Sequence, residues 1–197
     1  KELSDQIAAE GGNVILLDAG DQYQGSLFYT TYKGKDVVEF MTAIGYDAMA
    51  VGNHEFDDGD DGLAVLAEGV EFPVISGILD LSQTNRLKDI VDGTAVLEVG
   101  GQKIGLISAL ATDTPETASP SESVIFQDEI EALTADAEAL QAEGVDKVLA
   151  LTHVGYLKDQ DIAAKVPGVD AVIGGHSHTL LGDMEGALGK YPTLVKN

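Results

Sequence analysis

Short runs of apolar residues alternate along the chain with segments in which apolar residues recur every three or four positions. The runs are nearly continuous, as expected for strands of a sheet that is covered on both faces. They predict strands at residues 14–17, 48–51, 74–76, 148–151 and 171–173. Two further apolar segments, at 95–99 and 103–108, flank Gly100 and Gly101 and predict a β-hairpin, so one sheet should be mixed.

Segments with helical spacing lie between these strands, at residues 35–44, 62–68, 130–142 and 159–165, and another covers 2–10. The helix at 130–142 has the clearest limits, because Asp128 can cap its N-terminus and Gly144 can end it. Residues 112–123 are rich in Thr, Ser, Pro and Glu, which predicts a surface loop. Strands that alternate with helices predict an α/β fold.

The net charge of the chain limits the classes of molecule that it can bind. It has 34 acidic and 11 basic residues among 197, a formal net charge of −23. Because no basic patch is present, nucleic acid is excluded as a partner. A phosphate ester would need a local positive centre, and bound cations can supply it. No apolar run approaches the ~20 residues of a membrane-spanning helix, and the absence of cysteine excludes thiolate ligands.

The four histidines, His54, His153, His176 and His178, each follow a predicted strand. Sites in open α/β sheets form in the loops beyond the carboxyl ends of strands. A single histidine at such a position is more often structural than functional. Four in equivalent places predict a common site.

Two oxygen donors lie in the same kind of position. Asp21 follows the first strand and a glycine, and its carboxylate could bridge two cations. The ordinary alternative is an aspartate of a turn or a helix cap. Asn53 follows the second strand and offers a neutral amide oxygen. His54, next to it, would point elsewhere and be free for acid or charge-stabilising work, with Asp57 close enough to fix its tautomer.

The fourth loop has the sequence Gly-Gly-His-Ser-His-Thr at residues 174–179. If this stretch is extended, His176 and His178 point the same way and both face one metal centre, while the glycines allow the backbone to approach closely. The alternative is a flexible Gly/Ser loop.

These motifs resemble the metallophosphoesterase (calcineurin-like) superfamily, and Gly-Asp-Gln-Tyr-Gln-Gly at 20–25, Gly-Asn-His-Glu-Phe-Asp at 52–57 and the loop at 174–179 look closest to its 5′-nucleotidase branch. The resemblance implies mixed β-sheets packed as an αββα sandwich and two divalent metal ions, Zn, Mn or Fe. Asp21 would bridge the metals. Asn53, His153 and His176 would complete one shell, His178 would serve the other metal, and His54 with Asp57 would be catalytic.

The sequence departs from that family at one motif. The family opens with a strand ending in Asp-x-His, which supplies two ligands to the second metal, and no Asp-x-His occurs here. We therefore expect residues 1–197 to form one incomplete catalytic domain that starts after this strand and ends before a C-terminal nucleotide-binding domain. It should hold one metal or none, be weakly active, and expose a sheet edge through which it could associate.

The function that the resemblance implies is hydrolysis of a small phosphoester, with a nucleoside monophosphate as the favoured substrate. Four alternatives stay open: a cyclic-nucleotide phosphodiesterase, a nucleotide-sugar hydrolase, a sulfate-ester-type hydrolase, and a non-catalytic metal-binding domain. A Rossmann nucleotide-binding module is disfavoured, because no Gly-x-Gly-x-x-Gly follows the first strand. The family also implies a periplasmic, secreted or surface-anchored location.

Overall fold

Two β-sheets pack face to face between two layers of helices. The structure is a computed structural model that describes residues 2–192. The chain ends considered above, Lys1 and Asn197, lie outside the described residues. Within the described part of the chain, no helix is long and apolar enough to cross a membrane.

The first sheet consists of three short parallel strands. Their bounds are Leu17–Asp18, Ala48–Ala50 and Val74–Ile75, numbered β1 to β3, and they lie in that order across the sheet. Leu17 of β1 pairs with Ala48 of β2, and Met49 of β2 pairs with Val74 of β3. The strand predicted at 14–17 is thus displaced toward Asp18, while those predicted at 48–51 and 74–76 are confirmed.

The second sheet is mixed, as predicted. Its strands are β5 at Thr94–Val99, β6 at Gln102–Leu110, β8 at Val148–His153 and β9 at Ala171–Gly174, in that order across the sheet; a separate antiparallel pair joins β4 at Leu79–Asp80 to β7 at Ile125–Phe126. Strands β5 and β6 form the predicted antiparallel hairpin around Gly100 and Gly101, whose positive φ angles of 58° and 76° suit a two-residue turn. Strands β6, β8 and β9 are parallel.

Seven α-helices lie among the described residues, with a 3-10 helix at Asn53–Phe56. The α-helices are Glu2–Ala9, Leu27–Tyr32, Lys35–Ile44, Gly59–Gly69, Thr114–Thr117, Glu129–Ala142 and Tyr156–Lys165, numbered α1 to α7. The predicted helix at 35–44 is confirmed residue for residue, and Asp128 caps α6 by accepting from the N–H groups of Ile130 and Glu131. Helices α4 and α7 each begin three residues before their predicted starts.

Two of these helices fall where the sequence predicted none. Helix α2 has six residues, and Ser26 caps its N-terminus. Helix α5 lies inside the predicted loop at 112–123 and has a proline in its first turn. Both are too short for a periodic apolar pattern to appear. The other residues of 112–123 form turns and loop, as predicted.

Alternation along β2 shows how the layers are built. Ala48 and Ala50 face the second sheet and pack against Leu106 and Leu151. Met49 points the other way, into the cluster formed with α2, α3 and α4. A period of two in one strand thus fills two different cores. The largest core cluster contains residues of α6 and α7, which cover the second sheet, and continues to Leu63 and Ala64 of α4. The expected αββα sandwich is confirmed.

Candidate metal centre

The loops that follow β1, β2, β8 and β9 meet at one end of the sandwich, as the positions of the histidines predicted. There, ligand atoms of Asp21, His153 and His176 lie within 4.8 Å of one another. Among residues 2–192 this is the group of histidine and acidic side chains arranged closely enough to hold a metal ion. Three of the predicted ligands are therefore together.

His153, the last residue of β8, is buried, and the backbone fixes its ring. Its Nδ1 lies 2.5 Å from the carbonyl oxygen of Ala19. Because a carbonyl oxygen accepts and cannot donate, Nδ1 carries a proton. Its Nε2 lies 2.9 Å from Oδ2 of Asp21 but lacks the alignment of a hydrogen bond. This buried nitrogen has no hydrogen-bond partner in the described part of the chain.

Asp21 and His153 stabilise each other's charged forms. Burial opposes the ionisation of Asp21, but the His153 ring and the N–H of His54 outweigh it and lower the pKa of Asp21. Burial likewise disfavours the protonated His153 ring, and Asp21 outweighs it and raises the pKa of His153. At His176, burial and then the charge of His153 lower the pKa, which keeps this ring neutral and able to act as a ligand.

Asn53 begins the 3-10 helix and joins the cluster through His176. Its Oδ1 lies 3.0 Å from Nδ1 of His176, and its side chain is buried. The rings of His176 and His153 form a T-shaped pair with centroids 5.1 Å apart. The amide oxygen of Asn53 is therefore a fourth candidate ligand at the same place.

His54 is beside this cluster but does not contribute its ring to it. Its backbone N–H donates to Oδ1 of Asp21 at 2.9 Å. Its Nδ1 lies 2.8 Å from Oδ2 of Asp57, and the side chain of His54 is 41% exposed. The arrangement leaves an imidazole at the rim of the site whose orientation is set by Asp57.

His178 lies outside the three-residue cluster. His176 and His178 have φ angles of 76° and 51°, both in the left-handed region. The stretch is not extended, so the argument that residues i and i+2 share a direction was wrong here. His178 is exposed, although it is near enough for its charge to contribute to lowering the pKa of His176.

Sequence reasoning missed Glu55, which is fully buried beneath the cluster. Its carboxylate accepts from the backbone N–H groups of the loop that carries Asp21 and from that of Gly52. The signal was present, since a Glu at the third position of a helix often reaches back to the N-cap N–H. Asp18 was missed as well; it is buried and accepts from the N–H of Gly20 and the side chain of Gln22.

Comparison with known proteins agrees with this geometry. Residues 1–180 match the calcineurin-like phosphoesterase family. The chain belongs to this family. Its α/β architecture is that of a phosphoesterase domain.

Several relatives of this phosphoesterase domain are 5′-nucleotidases. It is 42% identical to the 5′-nucleotidase of Diplobatis ommata, and the match covers 98% of this chain and 35% of that protein. A solved structure of the 5′-nucleotidase precursor from Thermus thermophilus superposes with a TM-score of 0.95 at 41% identity, covering 99% of this chain and 39% of that one. The phosphoesterase domain thus spans roughly a third of the length of the curated relatives it matches.

A second solved structure broadens the range of relatives. The NAD nucleotidase of Haemophilus influenzae superposes with a TM-score of 0.89 at 31% identity, covering 97% of this chain and 39% of that one. The phosphoesterase domain is therefore similar to proteins named for different nucleotide substrates.

The divalent metals that this family uses suit the residues of the phosphoesterase domain. When His153 is neutral, its Nδ1 holds the proton, and the lone pair of Nε2 faces a carboxylate oxygen 2.9 Å away. Two electron-rich atoms this close together, one of them buried, are stabilised by a cation that binds both. Imidazole, amide and carboxylate donors together suit zinc, manganese or iron.

Proposed function

We propose that this domain is the catalytic part of a dinuclear-metal-dependent phosphoester hydrolase that releases phosphate from nucleoside 5′-monophosphates. The observation that carries the proposal is the convergence of Asp21, His153 and His176 within 4.8 Å, with Asn53 against His176. The 5′-nucleotidase relatives at about 42% identity supply the substrate class.

Asp21, Asn53, His153 and His176 would hold one metal, and Asp21 and His178 would contribute to the second. When bound, such metals neutralise the phosphoryl oxygens and activate water at neutral pH. The carbonyl oxygen of Ala19 keeps Nε2 of His153 directed at Asp21, which is the kind of outer contact that fixes the tautomer of a ligating histidine. Asn53 adds no charge to a site that already has the Asp21 carboxylate.

His54 is the residue that we assign to the leaving group or the phosphoryl oxygens. Asp57 accepts from Nδ1, so the ring presents Nε2 to a substrate, and Nε2 is a hydrogen-bond donor and proton source when the imidazole carries both protons. The ring lies outside the metal-ligand cluster and is partly exposed, so a substrate can reach it. A domain that only binds metal would not need a histidine beside the cluster that is not itself a ligand. We therefore favour the enzyme over a non-catalytic metal-binding domain.

A second candidate is hydrolysis of a larger nucleotide, such as a dinucleotide. The likeness to the Haemophilus influenzae NAD nucleotidase at 31% identity supports it. Cyclic nucleotides and nucleotide sugars have no specific observation in their favour. The family resemblance also leads us to propose a periplasmic, secreted or surface-anchored location, in line with the snake venom 5′-nucleotidases among the relatives.

Metal content and phosphate release test the proposal together. The protein is treated with a chelator, loaded with Mn²⁺ or Zn²⁺, and analysed for metal per chain. Release of inorganic phosphate is then measured from AMP, and release of the mononucleotide product is measured from NAD, cyclic AMP and a nucleotide sugar. We expect one tightly bound metal and slow release from AMP that requires both metal and His54. Absence of bound metal from the folded protein would overturn the proposal. Metal binding with hydrolysis of NAD in place of AMP would select the second candidate.

A further inference from the structure

Glu55 is a buried carboxylate with an unusual set of partners. Oε2 accepts from the N–H groups of Asp21 at 2.9 Å and Gly52 at 2.7 Å. Oε1 accepts from those of Gln22 at 2.8 Å and Tyr23 at 3.2 Å. Glu55 is 0% exposed, so four backbone donors surround a carboxylate that has no access to solvent.

Three of these donors come from consecutive residues. Asp21 has a φ of 64°, and a left-handed residue at this point turns the successive N–H groups of residues 21–23 toward one side. Such a concave set of N–H groups is a nest, the kind of backbone site that commonly binds phosphate or another anion. Here the anion is internal, because the Glu55 carboxylate fills the nest.

The fourth donor ties this nest to the neighbouring loop. Gly52 immediately precedes Asn53, and its N–H shares Oε2 with the N–H of Asp21. The loops also meet where the N–H of His54 donates to Oδ1 of Asp21. One oxygen of Glu55 therefore lies at the junction of the two loops that carry Asp21 and Asn53.

We propose that Glu55 is a positioning residue that sets the separation and direction of Asp21 and Asn53, and thereby the affinity and geometry of the metal centre. The inference rests on the proposed metal site. Glu55 acts through the backbone of the two loops: its carboxylate accepts from backbone N–H groups and makes no contact with the side-chain oxygens of Asp21 among these hydrogen bonds. Its role is therefore distinct from that of the ligands themselves.

Glu55→Gln is the sharpest substitution, because it preserves size and shape. Each oxygen of Glu55 accepts from two N–H groups. The NH₂ group of glutamine cannot accept, so it must face one of these two pairs of donors. Either the junction of the two loops or the turn after Asp21 then opens. Loss of an outer contact of this kind typically lowers metal affinity ~10–100-fold.

The matched control is Glu129→Gln. Glu129 is also a buried glutamate, 5% exposed, and its contacts are with Thr112 and Lys158, away from both ligand loops. The two variants therefore undergo the same change of atoms. A general cost of removing a buried carboxylate would appear in both.

The test is titration of each chelator-treated protein with Co²⁺, followed by calorimetry and by the visible absorption bands of the bound ion, which report ligand geometry. Circular dichroism first verifies that each variant is folded. We expect Glu55→Gln to bind ~10–100-fold more weakly than wild type with altered bands, and Glu129→Gln to match wild type. Wild-type affinity and bands in folded Glu55→Gln would overturn the positioning role while leaving the proposed function intact.

Two further outcomes are decisive. If the wild type itself binds no Co²⁺, the proposed function and the role of Glu55 both fail. If Glu55→Gln does not fold, Glu55→Asp takes its place, because it retains the carboxylate and both acceptors but is one methylene too short to reach both loops. We then expect weaker binding and altered bands, and wild-type values in Glu55→Asp would overturn the proposal.

Discussion

Nδ1 of His54 lies 2.8 Å from Oδ2 of Asp57, three residues further along the same helical turn. An ionised carboxylate can only accept, so Nδ1 carries the proton and Nε2 is the nitrogen that remains for other partners. Asp57 is largely covered, while the His54 ring is partly exposed. The pair therefore holds a partly exposed imidazole in a fixed orientation at the rim of the candidate metal centre.

Replacing His54 should separate catalysis from metal binding. His54→Ala retains the backbone N–H that donates to Asp21 and removes the ring alone. We expect phosphate release from AMP to fall ~10²–10⁴-fold, the usual contribution of a positioned acid or base, while metal per chain by elemental analysis stays at the wild-type value. Parallel loss of metal and activity would show instead that His54 is a ligand.

Asp57→Asn should give a smaller loss than His54→Ala. The amide can still accept from Nδ1 through its oxygen, but it can also rotate and donate, so the tautomer of His54 is no longer fixed. We expect turnover between those of wild type and His54→Ala, measured on AMP at saturating metal. Turnover equal to wild type would mean that the contact seen at 2.8 Å has no part in orienting the ring.

The two histidines of the last loop should differ in their effect on the first metal. His176 belongs to the three-residue cluster, and His178 is outside it. His176→Ala should weaken binding of the first Mn²⁺ or Zn²⁺ by at least the roughly tenfold that loss of an outer contact costs, whereas His178→Ala should leave it near wild type. Isothermal titration measures both affinities. Because a bound ligand stabilises the fold in proportion to the logarithm of its affinity, the metal-induced rise in unfolding temperature should be smaller in His176→Ala and unchanged in His178→Ala. Equal losses in both variants would contradict the assignment.

Much of the fold follows from patterns that are local in sequence. The continuous apolar run at β2 and the apolar periodicity of α3 and α6 each predicted the type of element that forms. The rule that sites lie beyond the carboxyl ends of strands then brings four separated loops to one end. This was sufficient to predict that Asp21, His153 and His176 meet.

The contacts that sequence could not supply are long-range or depend on single dihedral angles. Glu55 is more than thirty positions from Asp21 and Gln22, and no periodicity links them. The positive φ angles at His176 and His178 reverse the geometry expected of an extended strand, although the residue types alone gave no sign of it. Helix α2 is too short for its apolar face to be recognised.

Gly52 should be irreplaceable for a steric reason. A Cβ at this position would overlap the backbone nitrogen and Oδ1 of Asp21 and would lie 2.8 Å from Oε2 of Glu55. Gly52→Ala must therefore push the two ligand loops apart, and we expect weaker Co²⁺ binding and a lower unfolding temperature. The control is Gly93→Ala, whose Cβ would meet one atom within 4 Å, the Cα of Gly77 at 3.9 Å. Similar behaviour of the two alanine variants would argue that the loops have room to adjust.

Asp136 should make the stability of the domain depend on pH. It lies on α6 with its Oδ2 buried and without a hydrogen-bond partner among residues 2–192. Oδ2 approaches the backbone of Gly77 so closely that a Cβ there would overlap it. Burial raises the pKa of Asp136 from 3.8 to about 6, so the folded protein retains a proton that the unfolded chain has already released.

The sign of the effect follows from this difference. Stability due to the protonated form is fully present below the unfolded pKa of 3.8 and is lost as pH rises through about 6. The difference between a pKa of 3.8 and one of about 6 corresponds to ~3 kcal/mol of stability. Partial access of the carboxyl group to solvent reduces this to about 1–2 kcal/mol. Asp136→Asn, which cannot ionise, should therefore be about 1–2 kcal/mol more stable than wild type at pH 7.5 and nearly equal to it at pH 4.

Urea unfolding at pH 4, 5.5 and 7.5 measures this difference. The control is Asp89→Asn, because Asp89 is exposed and its replacement removes one negative charge from a chain of net charge −23 without emptying a buried position. We expect the gap between Asp136→Asn and wild type to open between pH 4 and 7.5 and to exceed any gap for Asp89→Asn. A gap for Asp136→Asn that stays constant with pH would mean that the buried carboxyl titrates alike in the folded and unfolded chains.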